Sequence, residues 1–338
     1  MNEQTLYPTL NGLFVALGAV VAILGVFLHE KRKEKPVGYL TYLAPVCLVF
    51  GFLGSRLFYT VFCDALYLES SEKWRFMEGG YSLIGCAVGV ILAVLAYVLI
   101  VGKRKMFLEI TDALAGPAAL AIAVGRMGSV FVEDCMGEAV SKASHAVFPV
   151  SMYCNGSEEY RYALFFWEAV GCVLIWLAVR FPAEKARHKG AESFVFTLLY
   201  CTLRTFLESL RTDSIYMGFV RVSQAFCAVA VVVLFVFTAI KLVRVSKFSY
   251  VYPVIWAAFI AAFVIGFTAM FYMGSDAAEL NTVKLLVSVL LMVAAAALQY
   301  ALYVWLYKVR RRSKRRKKAK KNDHTIIMKP VQKNGKQH

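Results

Sequence analysis

Nine stretches of this 338-residue chain are apolar and long enough to cross a bilayer, a feature that constrains the fold more than any other. A helix spanning the hydrocarbon core needs roughly 20 predominantly apolar residues, since in lipid each backbone N–H and C=O must be satisfied within the protein. The runs cover residues 10–28, 39–62, 82–101, 107–132, 163–181, 193–210, 221–243, 250–273 and 283–307. They leave no length for a sizeable water-soluble domain. The expected fold class is therefore all-α, a polytopic integral membrane protein, in keeping with a mean hydropathy of +0.60.

Lysine and arginine collect in every second loop, at Lys31–Lys35, Lys103–Lys105, Arg180–Lys189 and Lys241–Lys247, while the intervening loops are acidic or mixed. Basic loops stay cytoplasmic, so the N-terminus is expected outside and the C-terminus inside. The opening Met1–Thr5 lacks a basic cluster, which marks the first run as a retained span. The formal charge of +16 owes most to the run Arg310–Lys321, directly after the ninth span. Its position beside a membrane points to anionic inner-leaflet lipid as its partner, with no nucleic acid expected. Residues 322–338 read as disordered.

Ionisable residues inside the apolar runs are the candidate functional groups, because a span has little reason to carry a charge that nothing meets. Arg56 lies in the second span and Arg126 ends the fourth; Glu168 opens the fifth, and Arg204, Glu208 and Arg211 follow at i, i+4 and i+7 in the sixth. On a continuous helix the last three share one face, and two arginines against one glutamate leave a positive surplus. With the expected topology all these groups fall in the outer half of the bilayer. Guanidinium pairs bidentately with phosphate oxygens, so such a cluster suits a phospholipid headgroup. Gly116-Pro117 is expected to break the fourth span and open a cavity wall beside it. In the long loop 133–162, Asn155-Gly156-Ser157 fits both a glycosylation pattern and an ordinary turn, and Cys135 and Cys154 are candidates for a disulfide, leaving Cys63 over. All five histidines are assigned to loops or the tail. No His/Cys spacing suits a metal, and no cofactor is expected.

Over roughly residues 10–243 these motifs resemble, in order and spacing, the bacterial prolipoprotein diacylglyceryl transferases. Gly54-Ser55-Arg56 is similar to that family's glycine-x-arginine segment, Gly79-Gly80-Tyr81-Ser82 to the start of its glycine-rich motif, and Asp112 through Gly125-Arg126-Met127-Gly128 to its aspartate-to-arginine signature. That signature closes on an acidic residue and a glycine, here Asp134 and Gly137. Arg204-Thr205-Phe206-Leu207-Glu208-Ser209-Leu210-Arg211 resembles its arginine-x-x-x-glutamate-x-x-arginine helix, and Ser223-Gln224 the opening of its last span. Departures are Ile84 where the family has a histidine, Ser129 and Val132 for asparagines, Asn11 for a tyrosine, and Tyr162-Ala163 for histidine-proline.

The resemblance implies a seven-span core over 1–243, with two additional spans over 244–309 and a basic tail over 310–338. It implies movement of a diacylglyceryl group from phosphatidylglycerol to a cysteine thiol of a lipoprotein precursor, in the bacterial plasma membrane. Carried over residue by residue, Arg126, Arg204 and Glu208 are the catalytic candidates. Arg56, Gly79, Gly80, Ser129, Asp134, Gly137, Glu168 and Arg211 are the substrate-binding ones. Without an imidazole at position 84, the thiol's base would be a carboxylate such as Glu168 or Glu208, or the arginine field itself would acidify the thiol. The competing reading is a phospholipid-binding protein that keeps the headgroup site and no catalysis.

Overall fold

The computed structural model describes residues 3–34, 36–62, 80–104, 106–140, 145–183, 189–217 and 220–245, together with 294, 297 and 300. Helices α1 (Glu3–Arg32), α2 (Leu40–Phe62), α3 (Leu83–Val101) and α4 (Met106–Met127) are followed by a single turn, α5 (Ser129–Val132). A hairpin of β1 (Ser151–Cys154) and β2 (Glu159–Tyr162) leads into α6 (Leu164–Ala183) and α7 (Ala191–Leu210). A minimal hairpin, β3 (Tyr216–Met217) with β4 (Val220–Arg221), precedes α8 (Val222–Val245). Helices thus stand at the first seven expected positions. The runs 250–273 and 283–307, the basic tail, Gly79 and Cys63 lie outside the described residues.

Among the described residues, four helical stretches are long and apolar enough to cross a membrane: Leu6–Arg32, Leu40–Phe62, Leu83–Val101 and Met106–Val132. The surface agrees with that reading. Leu13, Leu17 and Leu24 on α1, Phe50, Leu53 and Leu57 on α2, and Val229 and Val233 on α8 are exposed, while Arg56, Asp112, Glu168, Arg204 and Glu208 are buried. A water-soluble fold does the reverse with its charges.

Small residues allow the helices to approach. Where α2 crosses α3, a Cβ on Gly54 would come within 2.6 Å of the Gly85 carbonyl oxygen, so only glycine fits the crossing. Where α1 crosses α4, Gly25 lies against the ring of Pro117. Pro117 sits inside an uninterrupted α4, which corrects the expected break at Gly116-Pro117. The chain instead turns at Gly128, where Asn11 and Phe14 of α1 pack close. The core between α4, α6, α7 and α8 holds Ala115, Ala119, Ile175, Phe194, Leu198 and Val231.

The two ends of the bundle are organised differently. At the end carrying the α6–α7 link, Asp112 of α4 accepts hydrogen bonds from Gly190 N at 2.5 Å, Ser193 N at 3.0 Å and Ser193 Oγ at 3.1 Å. Gly190 has no capping side chain, so an aspartate from a neighbouring helix caps α7 and sets its height against α4. Lys33 donates to Glu192 at 2.7 Å at the same end. His29, assigned to a loop from the sequence, lies in the last turn of α1, 3.7 Å from Glu192. At the opposite end the loop after α5 folds back over the bundle, with β1 and β2 in antiparallel register from Ser151 opposite Tyr162 to Cys154 opposite Glu159. Asn155-Gly156-Ser157 falls in the turn, and the Glu133 carboxylate accepts from the N–H groups of Asn155 at 2.7 Å and Gly156 at 3.1 Å. Cys135 and Cys154 are both free thiols buried in one small cluster with Met136 and Phe165, which corrects the disulfide expectation.

Candidate active site

Three helices meet beneath that folded loop, each contributing a charge at the same level. Arg126 stands in the last turn of α4, where the negative end of the helix dipole favours a cation. Glu168 lies just over one turn into α6. Tyr200, Arg204 and Glu208 recur every fourth residue of α7 and so share one face.

Glu168 is the hub. Its Oε2 is 2.9 Å from Arg126 Nε and accepts from Arg204 Nη1 at 2.8 Å, while its Oε1 accepts from the Tyr200 hydroxyl at 3.0 Å. Arg204 Nη2 lies 2.9 Å from Glu208 Oε2. Glu168 and Glu208 are each 1% exposed and Arg204 5%, so each charge depends on the others to offset its lost hydration. Arg221 donates from Nη1 to the Glu208 carbonyl oxygen at 2.6 Å, and Gln224 from Nε2 to that of Thr205 at 3.1 Å, which pins α8 to α7 behind the cluster.

The loop closes the cluster from above. Arg126 Nη1 donates to Cys135 Sγ at 2.7 Å and is 3.9 Å from Asp134 Oδ2. Arg211 does not continue the helical face of Arg204 and Glu208. It caps α7 with an extended backbone, forms a bridge with Gly137, and its Nη2 donates to Asp134 Oδ1 at 2.8 Å. Asp213 then takes the other edge of the same guanidinium, through Nε and through Nη2 at 2.7 Å. The expected positive surplus is therefore absent from this cluster: Arg126, Arg204 and Arg211 are met by Glu168, Glu208, Asp134 and Asp213. The reason lies in the loops, which bring back two aspartates that helix periodicity cannot place.

Of the sequence-predicted residues, Arg126, Arg204, Glu208, Glu168, Asp134, Gly137 and Arg211 come together here. Ser129 is buried at the start of α5, where its carbonyl oxygen accepts from the N–H of Asp134 at 3.2 Å and so orients the loop. Arg56 and Gly80 form a group on α2 and the approach to α3. Arg56 is 2% exposed, donates from Nη1 to the Gly80 carbonyl oxygen at 3.1 Å, and lies over the Tyr81 ring. Gly80 has a φ of +72°, and a Cβ there would strike Tyr59 and the Arg56 guanidinium, so glycine is required on both counts. Tyr200 and Asp213 were missed. Tyr200 was within reach, standing one helical turn before Arg204; Asp213 sits in a loop, where no periodicity applies.

The family model for prolipoprotein diacylglyceryl transferase matches residues 9–240, which contain every one of these side chains. The chain belongs to the prolipoprotein diacylglyceryl transferase family. Among curated relatives, a phosphatidylglycerol–prolipoprotein diacylglyceryl transferase of Clostridium botulinum is 26% identical over 238 residues, covering 68% of this chain and 92% of that protein. The first such transferase of Clostridium perfringens is 28% identical over 228 residues, covering 66% of this chain and 86% of its own length. In Clostridium novyi the figures are 26% over 226 residues, 65% and 86%. Within this family of membrane enzymes, the last two apolar runs and the basic tail of the present chain lie beyond the matched region.

Proposed function

We propose that this protein transfers the diacylglyceryl group of phosphatidylglycerol to the cysteine thiol of a lipoprotein precursor, in the plasma membrane of a bacterium. The observation that carries the reading is the Arg126–Glu168–Arg204–Glu208 network, built from three helices inside the matched region. The reaction forms a carbon–sulfur bond and breaks the carbon–oxygen bond to phosphate, so negative charge grows on the departing glycerol phosphate. Arg126 and Arg204, held by buried carboxylates before substrate arrives, would stabilise that charge without reorganising, the kind of effect that often contributes most to rate. Glu208 serves by fixing Arg204. Because Glu168 already lies between the two guanidiniums, the phosphate would approach their remaining N–H groups from the Asp134–Arg211 side, beneath Gly137 and Ser129. Arg56 and Gly80 would line the substrate's approach along α2 and α3, and Gly79 is assigned to substrate binding by the family motif alone.

In this reading residues 1–243 form a seven-span catalytic core, 244–309 two further spans, and 310–338 a cytoplasmic tail that contacts anionic inner-leaflet lipid. The alternation of basic loops supports an outside N-terminus. The acceptor is a lipobox cysteine. Purified protein, labelled phosphatidylglycerol and a lipobox peptide test the reading directly: thioether product is expected, falling about 10²- to 10³-fold in Arg126→Ala and Arg204→Ala. If neither the native protein nor Ile84→His forms product while phospholipid is retained, the protein binds lipid without catalysis and the proposal is overturned.

A further inference from the structure

At the mouth of the arginine cluster, Arg211 lies between two carboxylates drawn from different segments of the chain. Asp213 accepts from Arg211 Nε and, at 2.7 Å, from Nη2, and its Oδ2 also accepts from the backbone N–H of Cys135, 78 residues away, at 3.1 Å. The opposite carboxylate, Asp134, accepts from the same Nη2 at 2.8 Å. One aspartate thus ties the α7 terminus to the loop that carries Asp134.

We propose that Asp213 is a positioning residue for the transfer reaction: it holds Asp134 and Arg211 in one carboxylate–guanidinium–carboxylate unit, from which Asp134 takes the proton of the incoming thiol. The inference rests on the transferase reading above and adds the base and the group that places it.

Four carboxylates surround the cluster, and access to water separates them. Glu168 and Glu208 are each 1% exposed and committed to arginines, so a proton taken up there has no route away. The side chains of Asp134 and Asp213 are 44% and 39% exposed. A base must release its proton in every cycle, and these two can pass it to water. Asp213 already accepts from three donors, two of them on Arg211. Asp134 keeps Oδ2 turned inward, 3.8 Å from Cys135 Sγ and 3.9 Å from Arg126 Nη1.

The Cys135 sulfur illustrates what a thiol meets here, with a guanidinium nitrogen at 2.7 Å and a carboxylate oxygen at 3.8 Å. Burial pushes Cys135 itself up to about 12, so it stays protonated and is not the nucleophile. The charged and titratable groups facing the aspartate pair are Arg126 from α4, Arg211 from the end of α7 and Cys135 from the loop, with Glu168 of α6 behind Cys135. Partial burial and a hydrogen bond shared with Asp213 raise the Asp134 carboxyl, against the lowering pull of Arg211 and Arg126. Against the raising effect of burial, the hydrogen bonds from Arg211 and with Asp134 hold Asp213 well below the usual carboxylate range. The two carboxylates are therefore unequal in basicity, and Asp134 is the one of the pair that takes up a proton more readily.

The step balances within this unit. The acceptor S–H proton moves to Asp134, and the sulfur keeps its electron pair and attacks the glyceryl carbon. The carbon–oxygen bond to phosphate breaks with its pair on oxygen, glycerol phosphate departs, and Asp134 returns its proton to water.

The test uses the full chain in phosphatidylglycerol-containing nanodiscs, with kcat and KM for a lipobox peptide followed from mildly acid to mildly alkaline pH. In Asp213→Asn the acid limb of kcat is expected to move to lower pH and the plateau to fall about tenfold, part of what a positioned base supplies. KM and lipid retention should stay within about twofold of the native values, and Asp213→Glu should restore most of the native profile. An unmoved acid limb in Asp213→Asn, or a loss confined to KM, overturns the proposal. If the native protein transfers nothing, the transferase reading fails separately, and infrared titration of the carboxyl groups judges the pair. A protonated carboxyl band absent in Asp134→Asn and displaced in Asp213→Glu supports the pairing; a band that neither variant alters overturns it, even if Asp213→Asn does not fold.

Discussion

Glu168 illustrates how one side chain can decide whether buried arginines are tolerable. Its carboxylate is shared by Arg126 and Arg204, each of which would otherwise carry a charge away from water. Glu168→Gln keeps the shape and removes the charge, and breaking a buried pair in this way costs about 3–5 kcal/mol. A lowered unfolding temperature in detergent is expected, together with loss of transfer; an unchanged transition would mean that water reaches these arginines. Arg204 could be read from the sequence as a functional group because lipid-facing segments rarely carry charge. The carboxylates that meet the cluster's arginines could not be ranked that way. Glu208 was visible at i+4, whereas Asp134 and Asp213 reach the cluster through loop conformations, with Glu133 and Cys135 at φ values of 53° and 61°.

At the scale of the helices, α7 is placed from both ends by other elements. Asp112 of α4 caps its first turn, and Arg221 at the end of β4 and Gln224 in the first turn of α8 bind the Glu208 and Thr205 carbonyls in its C-terminal part. The Asp112→Ala variant should therefore lose about 1–2 kcal/mol, the usual worth of a strong N-cap. Hydrogen exchange should quicken at residues 189–193, with transfer falling as Arg204 loses its height against Arg126. Exchange unchanged at those amides would remove Asp112 from the positioning of α7. Helix periodicity located α7 correctly but carried its face one turn too far, to Arg211. The chain leaves the helix there because Arg211 bonds to Asp134 and Asp213 on extended backbone, and Gly137 closes a bridge to it.

For the whole molecule, the apolar exterior and charged interior of the described helices belong to a membrane protein whose arginine–carboxylate cluster lies at one end of the bundle. The loop pattern predicts that this end faces outward. A single cysteine introduced at Lys185, in an otherwise cysteine-free protein, should label only from the cytoplasmic side; labelling only from outside would invert the topology. The family match ends at residue 240, before the last two apolar runs. Truncation after residue 245 is accordingly expected to leave transfer within about threefold of the full chain, measured with the same peptide assay, since among the described residues no group of the cluster lies beyond Gln224. A loss approaching that of Arg204→Ala would make the C-terminal segment part of the catalytic unit.

What the sequence alone determined were properties that depend on composition along one segment: apolar length, the alternation of basic loops, and the arginines and glutamates at helical spacing. Those signals are local, because lipid penalises each segment by itself and a helix repeats every 3.6 residues. The tertiary structure decided where compensation comes from. It kept Pro117 inside α4 by seating its ring on Gly25, left Cys135 and Cys154 as separate thiols, and turned an apparent cationic surplus into a network in which every arginine meets a carboxylate. Each outcome rests on contacts between residues far apart in the chain, and electrostatic balance in a low-dielectric interior is settled by distance in space, to which spacing along the sequence is blind.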